Sequence, residues 1–269
     1  MYTDSLEFLE EERDAWRPYE ALAALSDGQL SVPVPAAHGW SGRELMSHVL
    51  AWQGIALQIA TDLAVNETSP TIARIDADWE TRGGDAVNAE IDATWAVISM
   101  DELRERFRTQ PGELRGYLTV VPESRWLKNA EHLRTLSHET FAHYEEHRHL
   151  PPRSSPRRQM TSERRLTLGE LVAEAIVDLP GAESMTAPDG ALTWSRGGRP
   201  FAVMSVGGAA AEFDLDPAVA AAAIRTPDVA QSGRGPGWIR FEPSELDDHA
   251  ADRAVAWLAS AHRRLAPRD

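Results

Sequence analysis

Apolar residues recur every three or four positions along most of the first 150 residues, which predicts a set of long amphipathic helices. The clearest helix begins after Ser41, where Glu44, three residues on, completes a capping-box pattern. The same periodicity predicts further helices over residues 4–25, 101–121 and 130–150, with a less regular stretch over 70–98. Four long helices without strand signals indicate a helical bundle.

The chain after residue 165 has a different pattern. A helix over residues 166–179 precedes short strand-like runs over 191–194, 201–206, 211–215 and 237–241. Gly197-Gly198 and Gly207-Gly208 separate three of these runs and predict hairpin turns. Asp216 precedes an Ala-rich helix, and Ser244 precedes a last helix that reaches about residue 265. This order predicts a small α+β domain built on an antiparallel sheet.

Residues 151–165 join the two parts and contain five arginines, one acidic residue and several prolines and serines. Such a composition cannot build a core, so the segment is predicted to be a linker. The alternative is a basic tail that binds nucleic acid. The predicted organisation is a bundle over 1–150, a linker over 151–165 and an α+β domain over 166–269.

Composition narrows the function classes. The 269 residues are 42% hydrophobic, enough for a core, and the net charge of −15 opposes binding to nucleic acid. No run approaches the roughly 18–20 apolar residues of a membrane helix, and the first residues do not resemble a signal peptide. We expect a soluble, cytoplasmic protein with a small-molecule substrate and no nucleic-acid or membrane partner. The oligomeric state is left open, with a dimer among the options.

The chain has no cysteine, so any metal ion must be bound by histidines and carboxylates. His143 and His147 share the apolar face of the last bundle helix at i, i+4 spacing, and His48 lies on the apolar face of the helix after Ser41. A lone buried histidine more often bonds a neighbouring side chain or a carbonyl, which remains the alternative. Three inward histidines in one bundle instead predict a shared metal ion. His138 and His149 lie off this face.

These residues carry a resemblance to a known family. Gly39-Trp40-Ser41, His48, Trp52 and His143-x-x-x-His147, in this order and on these helices, resemble the DinB-like superfamily, which includes mycothiol-dependent maleylpyruvate isomerases and bacillithiol transferases. The resemblance covers about residues 1–150. It implies a four-helix bundle in which His48, His143 and His147 bind a divalent ion, with zinc the first choice and nickel, manganese or iron the alternatives.

The resemblance also implies an activity. A thiol-dependent transferase or isomerase would act on a small electrophile, with mycothiol as the cosubstrate. The stretch 39–52, together with Asn88-Ala89-Glu90-Ile91 and the arginines near Phe107, also resembles the ClbS/DfsB branch of cyclopropane hydrolases. The alternatives are therefore a protective hydrolase of that kind, or a stress or resistance protein that binds a small molecule and whose metal ion is not catalytic.

Four further residues are weaker candidates. Glu44 and Glu139 each lie four residues before a predicted ligand, where a carboxylate could orient the histidine or act as a general base. The alternative for both is helix capping or an ordinary place on a helix surface. Trp40 and Trp52 could line a substrate cleft, and core packing is their alternative.

The second segment resembles the MmcQ/YjbR-like family over about residues 166–266. The resemblance rests on Leu179-Pro180-Gly181-Ala182, on Trp194, on Gly198-Arg199-Pro200-Phe201-Ala202 and on Gly237-Trp238-Ile239. DNA binding has been suggested for that family, but this segment is acidic, which opposes such a role here.

Overall fold

The computed structural model describes residues 2–35, 39–147, 166–177 and 179–265. Its first part is helical, as predicted. The helices are α1 (Ser5–Trp16), α2 (Asp27–Leu30), α3 (Gly42–Val65), α4 (Pro70–Arg82), α5 (Gly84–Ala96), α6 (Met100–Val120), α7 (Ala130–Ser137) and α8 (His143–Glu146). The single helix predicted over residues 4–25 is wrong, because α1 ends at Trp16. Pro18 follows closely, and it has no N–H with which to continue the helical hydrogen bonds.

The stretch over residues 70–98, expected to be less regular, forms the two helices α4 and α5. Ser69 caps α4 and Pro70 occupies its first position, which are ordinary start signals. Few side chains of these helices are buried, chiefly Thr71, Ile72 and Val87. With so few apolar side chains to bury, α4 and α5 lack the broad apolar face that marks the helices of the core, which explains the wrong prediction.

Helix α6 runs without interruption through Pro111. The helix predicted over residues 130–150 is present as α7 and α8, joined by a π-helical turn over His138–Ala142. Residues 148–150 and the predicted linker, 151–165, lie outside the described residues.

The second part is an α+β unit, as predicted, with helices α9 (Leu168–Val177), α10 (Pro217–Ala223) and α11 (Asp248–Arg264). Its strands are β1 (Ala182–Thr186), β2 (Leu192–Arg196), β3 (Arg199–Met204), β4 (Ala211–Asp214), β5 (Val229–Gln231) and β6 (Trp238–Phe241). They form one antiparallel sheet in the order β1-β2-β3-β4-β6-β5. The edge strands β1 and β5 were not predicted, because β1 is largely exposed and β5 has only three residues.

Both predicted glycine turns join consecutive strands, β2 to β3 and β3 to β4. Asp216 caps α10, as predicted. The cap of the last helix differs from the prediction. Asp247, not Ser244, accepts a hydrogen bond from the backbone N–H of Ala250 at 2.7 Å, so α11 begins at Asp248.

Helix α11 packs against α6 and brings the sheet unit onto the bundle. Gly116 permits a close approach, because a Cβ atom there would lie 2.5 Å from Cβ of Ala256 and 2.8 Å from the carbonyl oxygen of Asp252. Tyr117 and Ser260 share a hydrogen bond of 2.7 Å across the same contact. Buried side chains from both parts belong to one apolar cluster, and a second cluster lies within the bundle. None of the described helices has the length and apolar character needed to cross a bilayer.

Candidate metal centre

The first part of the site is set by the start of α3. The side chain of Ser41 accepts a hydrogen bond from the backbone N–H of Glu44, and the carboxylate of Glu44 accepts one from the backbone N–H of Ser41 at 2.7 Å. This is the predicted capping box. It starts α3 so that His48 points inward with 5% of its surface exposed.

The second part is set by the π-helical turn between α7 and α8. Thr140 departs from helical backbone angles there (φ −120°, ψ −114°), and its hydroxyl donates to the carbonyl oxygen of Leu136 at 2.6 Å. Helix α8 then begins at His143, which is 7% exposed, and His147 follows at its end. Turns of this kind occur often at functional sites in helices.

The three predicted histidines come together. One possible ligand nitrogen from each of His48, His143 and His147 lies within 4.8 Å of the other two. The ring centroids are 5.0 Å apart for His48 and His143, 4.8 Å for His48 and His147, and 4.6 Å for His143 and His147. The nitrogen ligands of one zinc ion lie on the order of 3–4 Å apart, so small side-chain rotations would bring these three to one ion.

The electrostatics of the cluster suit a cation. Among the described residues, Nδ1 of His48 and Nε2 of His143 are buried without a hydrogen-bond partner. Burial lowers the pKa of His143 to about 2, helped by the charges that His147 and His48 would carry. Burial also lowers the pKa of His48. The imidazoles of His143 and His48 are therefore held in the neutral form, which is the form that binds metals.

Asp92 on α5 was missed in the sequence analysis. Its Oδ1 lies 3.5 Å from Nδ1 of His48, beyond ordinary hydrogen-bond length but close enough to favour a proton on that nitrogen. A carboxylate beside a metal-binding histidine commonly orients the ring. The only sequence signal was the helical pattern of α5, which is weak because the helix is exposed.

Two tryptophans lie against the histidine cluster. The ring of Trp40 stacks on His147 at 5.2 Å and lies 4.7 Å from His48, while Trp52 lies 5.6 Å from His143. Trp52 is 3% exposed, which favours its packing role. Trp40 instead borders an open cleft of about 660 Å³, together with Glu44, His48 and Asp92.

The two glutamates have different surroundings. Ser41 holds the pKa of Glu44 below its usual range, because its backbone N–H and its hydroxyl both donate to the carboxylate. Glu139 is 5% exposed, so it does not lie on an exposed helix surface. Burial raises its pKa, and its Oε2 has no hydrogen-bond partner among the described residues. Neither carboxylate belongs to the three-histidine cluster.

Two histidines were predicted to lie off the apolar face, and His138, the one that the structure describes, is not part of the cluster. The side chain of His138 is 61% exposed and bonds Glu139 at 3.1 Å. His149 lies outside the described residues.

Comparison with known proteins identifies the bundle. The family model described as "Mycothiol maleylpyruvate isomerase N-terminal domain" matches residues 9–146, about half of the chain. The chain belongs to this family. The match includes His48 and His143 and ends one residue before His147; it does not reach the sheet unit. No curated protein and no solved structure matches the chain significantly.

Proposed function

We propose that this protein binds one divalent metal ion through His48, His143 and His147, and that it catalyses a thiol-dependent transfer or isomerisation on a small electrophile. The convergence of three imidazoles, with Nε2 of His143 buried and without a hydrogen-bond partner among the described residues, carries this proposal. Zinc is the first choice, because nitrogen ligands at tetrahedral sites suit it. The family to which the bundle belongs supports mycothiol as the cosubstrate.

Three protein ligands leave at least one open position, where a divalent ion lowers the pKa of a bound thiol or water. The chain's own residues supply the remaining functions. Trp40 offers an aromatic wall to a ligand in the cleft, and Asp92 orients the ring of His48. Glu139, whose pKa burial raises, is the candidate general base. Glu44 chiefly caps α3.

The proposal extends to the rest of the chain. The division at residues 151–165, the MmcQ/YjbR-like character of the sheet unit and the absence of nucleic-acid binding remain proposals. A reducing compartment suits a thiol cosubstrate, so we place the protein in the cytoplasm.

Metal analysis tests the centre. Protein purified without chelator should contain about one divalent ion per chain, and His48→Ala, His143→Ala and His147→Ala should each lose most of it because two imidazoles bind far more weakly than three. His138→Ala is the matched control, since this exposed histidine lies on the same helical segment. Equal metal content in His48→Ala and His138→Ala would refute the site.

Turnover tests the reaction. The metal-loaded protein should consume maleylpyruvate, or another small electrophile, only when mycothiol is present, and His143→Ala should abolish the reaction. Full metal content with hydrolysis that needs no thiol would favour the ClbS/DfsB-like alternative. Ligand binding without turnover would favour the small-molecule-binding alternative.

A further inference from the structure

A buried polar network begins beside the histidine cluster. Tyr144 follows His143 directly and is 1% exposed. Its hydroxyl donates to Oε1 of Glu12 at 3.0 Å and accepts from Nε2 of Gln53 at 2.7 Å. Glu12 lies on α1 and is fully buried, and Gln53 lies on α3, the helix that carries His48. The hydroxyl of Tyr144 therefore links both elements that supply histidines to α1.

The network continues into the sheet unit. Arg115 on α6 donates to Oε2 of Glu12 at 2.7 Å and to Oδ2 of Asp252 at 2.7 Å. Arg13 also donates to Oδ2 of Asp252 at 2.7 Å. Asp252 lies on α11, outside the part of the chain that the family model matches. One carboxylate of the appended unit therefore completes a charge network inside the bundle.

The charges make the network depend on all its members. Glu12 is 0% and Arg115 8% exposed, so neither can replace a lost partner with bulk water. A buried charge is tolerated when it is fully paired, and removing one partner leaves the others uncompensated. Without the Asp252 carboxylate, Arg115 would have Glu12 as its remaining carboxylate partner. The Arg115 side chain would then shift, and Glu12 would shift with it. Tyr144, bonded to Glu12, connects that shift to His143.

We propose that Asp252 is a positioning residue for the metal centre, acting through Arg115, Glu12 and Tyr144 to hold His143 in place against α3. This inference rests on the proposed metal site. It gives the sheet unit a defined role, since the bundle's metal site would be fully ordered only when α11 is docked. Changes to outer partners of metal ligands typically weaken metal binding by about 10–100-fold, and we expect the lower end for a residue this far removed.

Asp252→Asn removes the charge at nearly constant shape. Asp252→Glu is the conservative variant, which keeps the charge and should keep the metal affinity. Glu113→Gln is the matched control. Glu113 is a buried carboxylate on α6, two positions before Arg115. It pairs with Arg263, which lies on α11 like Asp252. It therefore breaks an α6–α11 ion pair without touching Glu12 or Tyr144.

Two measurements separate positioning from stability. Zinc affinity by chelator competition should fall about tenfold in Asp252→Asn and recover in Asp252→Glu. The visible absorption spectrum of the cobalt-substituted protein reports ligand geometry, and it should change in Asp252→Asn but not in Glu113→Gln, even if both melt at lower temperature. Tyr144→Phe, which removes only the hydroxyl, should change the spectrum in the same direction and serves if Asp252→Asn does not fold.

The outcomes are distinguishable. Wild-type protein that binds metal, with zinc affinity and cobalt spectra unaltered in Asp252→Asn and in Tyr144→Phe, would overturn this inference and leave the proposed function standing. Equal changes in Asp252→Asn and Glu113→Gln would also overturn it, because they would reflect a general loosening of the interface. Wild-type protein without affinity for zinc or cobalt would overturn both proposals.

Discussion

Replacing Gly116 by alanine should destabilise the protein through the contact between α6 and α11. The added Cβ would lie 2.5 Å from Cβ of Ala256 and 2.8 Å from the carbonyl oxygen of Asp252, whereas carbon atoms pack favourably at about 3.5–4.0 Å. Overpacking of this size costs about 1–3 kcal/mol. Alanine also favours a helix over glycine by about 1 kcal/mol, which offsets part of that cost.

Gly54→Ala is the matched control, because this glycine lies inside α3 and an added Cβ would meet nothing closer than 3.8 Å. The helix preference is common to both variants, so the difference between them isolates the steric cost. We expect Gly116→Ala to be less stable than Gly54→Ala by about 1–3 kcal/mol in urea unfolding. In calorimetry this corresponds to a difference of about 2–5 °C in melting temperature. Equal stabilisation of the two variants would refute the close approach of α6 and α11.

Four further expectations can be checked directly. Ser41→Ala should lower the free energy of unfolding by about 0.5–2 kcal/mol, because α3 loses its cap, while Ser31→Ala should have little effect in the same denaturation assay. Burial lowers the pKa of His262, whose Nε2–H donates to the carbonyl oxygen of Pro180 at 3.0 Å. Because the unfolded chain then binds the proton more readily, stability should fall as the pH drops from about 7.5 to 5.5, and His262→Gln should reduce that fall in urea titrations. Trypsin should cut residues 151–165 first, since they are rich in arginine and poor in apolar residues, yet the two fragments should elute together in gel filtration. Binding to duplex DNA at about 150 mM salt should be absent in a gel-shift assay; submicromolar binding would contradict the argument from charge.

The histidine cluster could be predicted from sequence where its signals are local. The capping pattern of Ser41 and the helical spacing around His48 place that ring on an inward face, and the i, i+4 spacing of His143 and His147 does the same. The π-helical turn before His143 has no recognisable sequence pattern. His143 and His147 nevertheless lie on the same side of the helical segment. Asp92 was missed because exposed helices have weak apolar periodicity.

The network that reaches Asp252 could not be predicted from spacing at all. Most of its hydrogen bonds join residues more than 100 positions apart, as from Arg115 to Glu12. A charged residue on a helix is ordinarily read as exposed, and only the packed structure reveals that these two charges lie inside. Sequence pattern predicts which face of an element is apolar, but it does not predict which elements pack together and pair their buried charges.

The packing of α11 on α6 bears on how independent the two parts can be. Leu114, Tyr117 and Leu118 of the bundle belong to the same buried cluster as Trp257 and Leu258 of α11. A bundle without α11 would expose this apolar face to water and would leave Arg115 with one carboxylate partner where it now has two. Both changes act against the folded bundle, the first because apolar burial is lost and the second because a buried charge loses compensation. Two units that are distinct in sequence pattern can thus depend on each other for stability, and under our proposal the sheet unit supports the metal site without supplying a ligand to it.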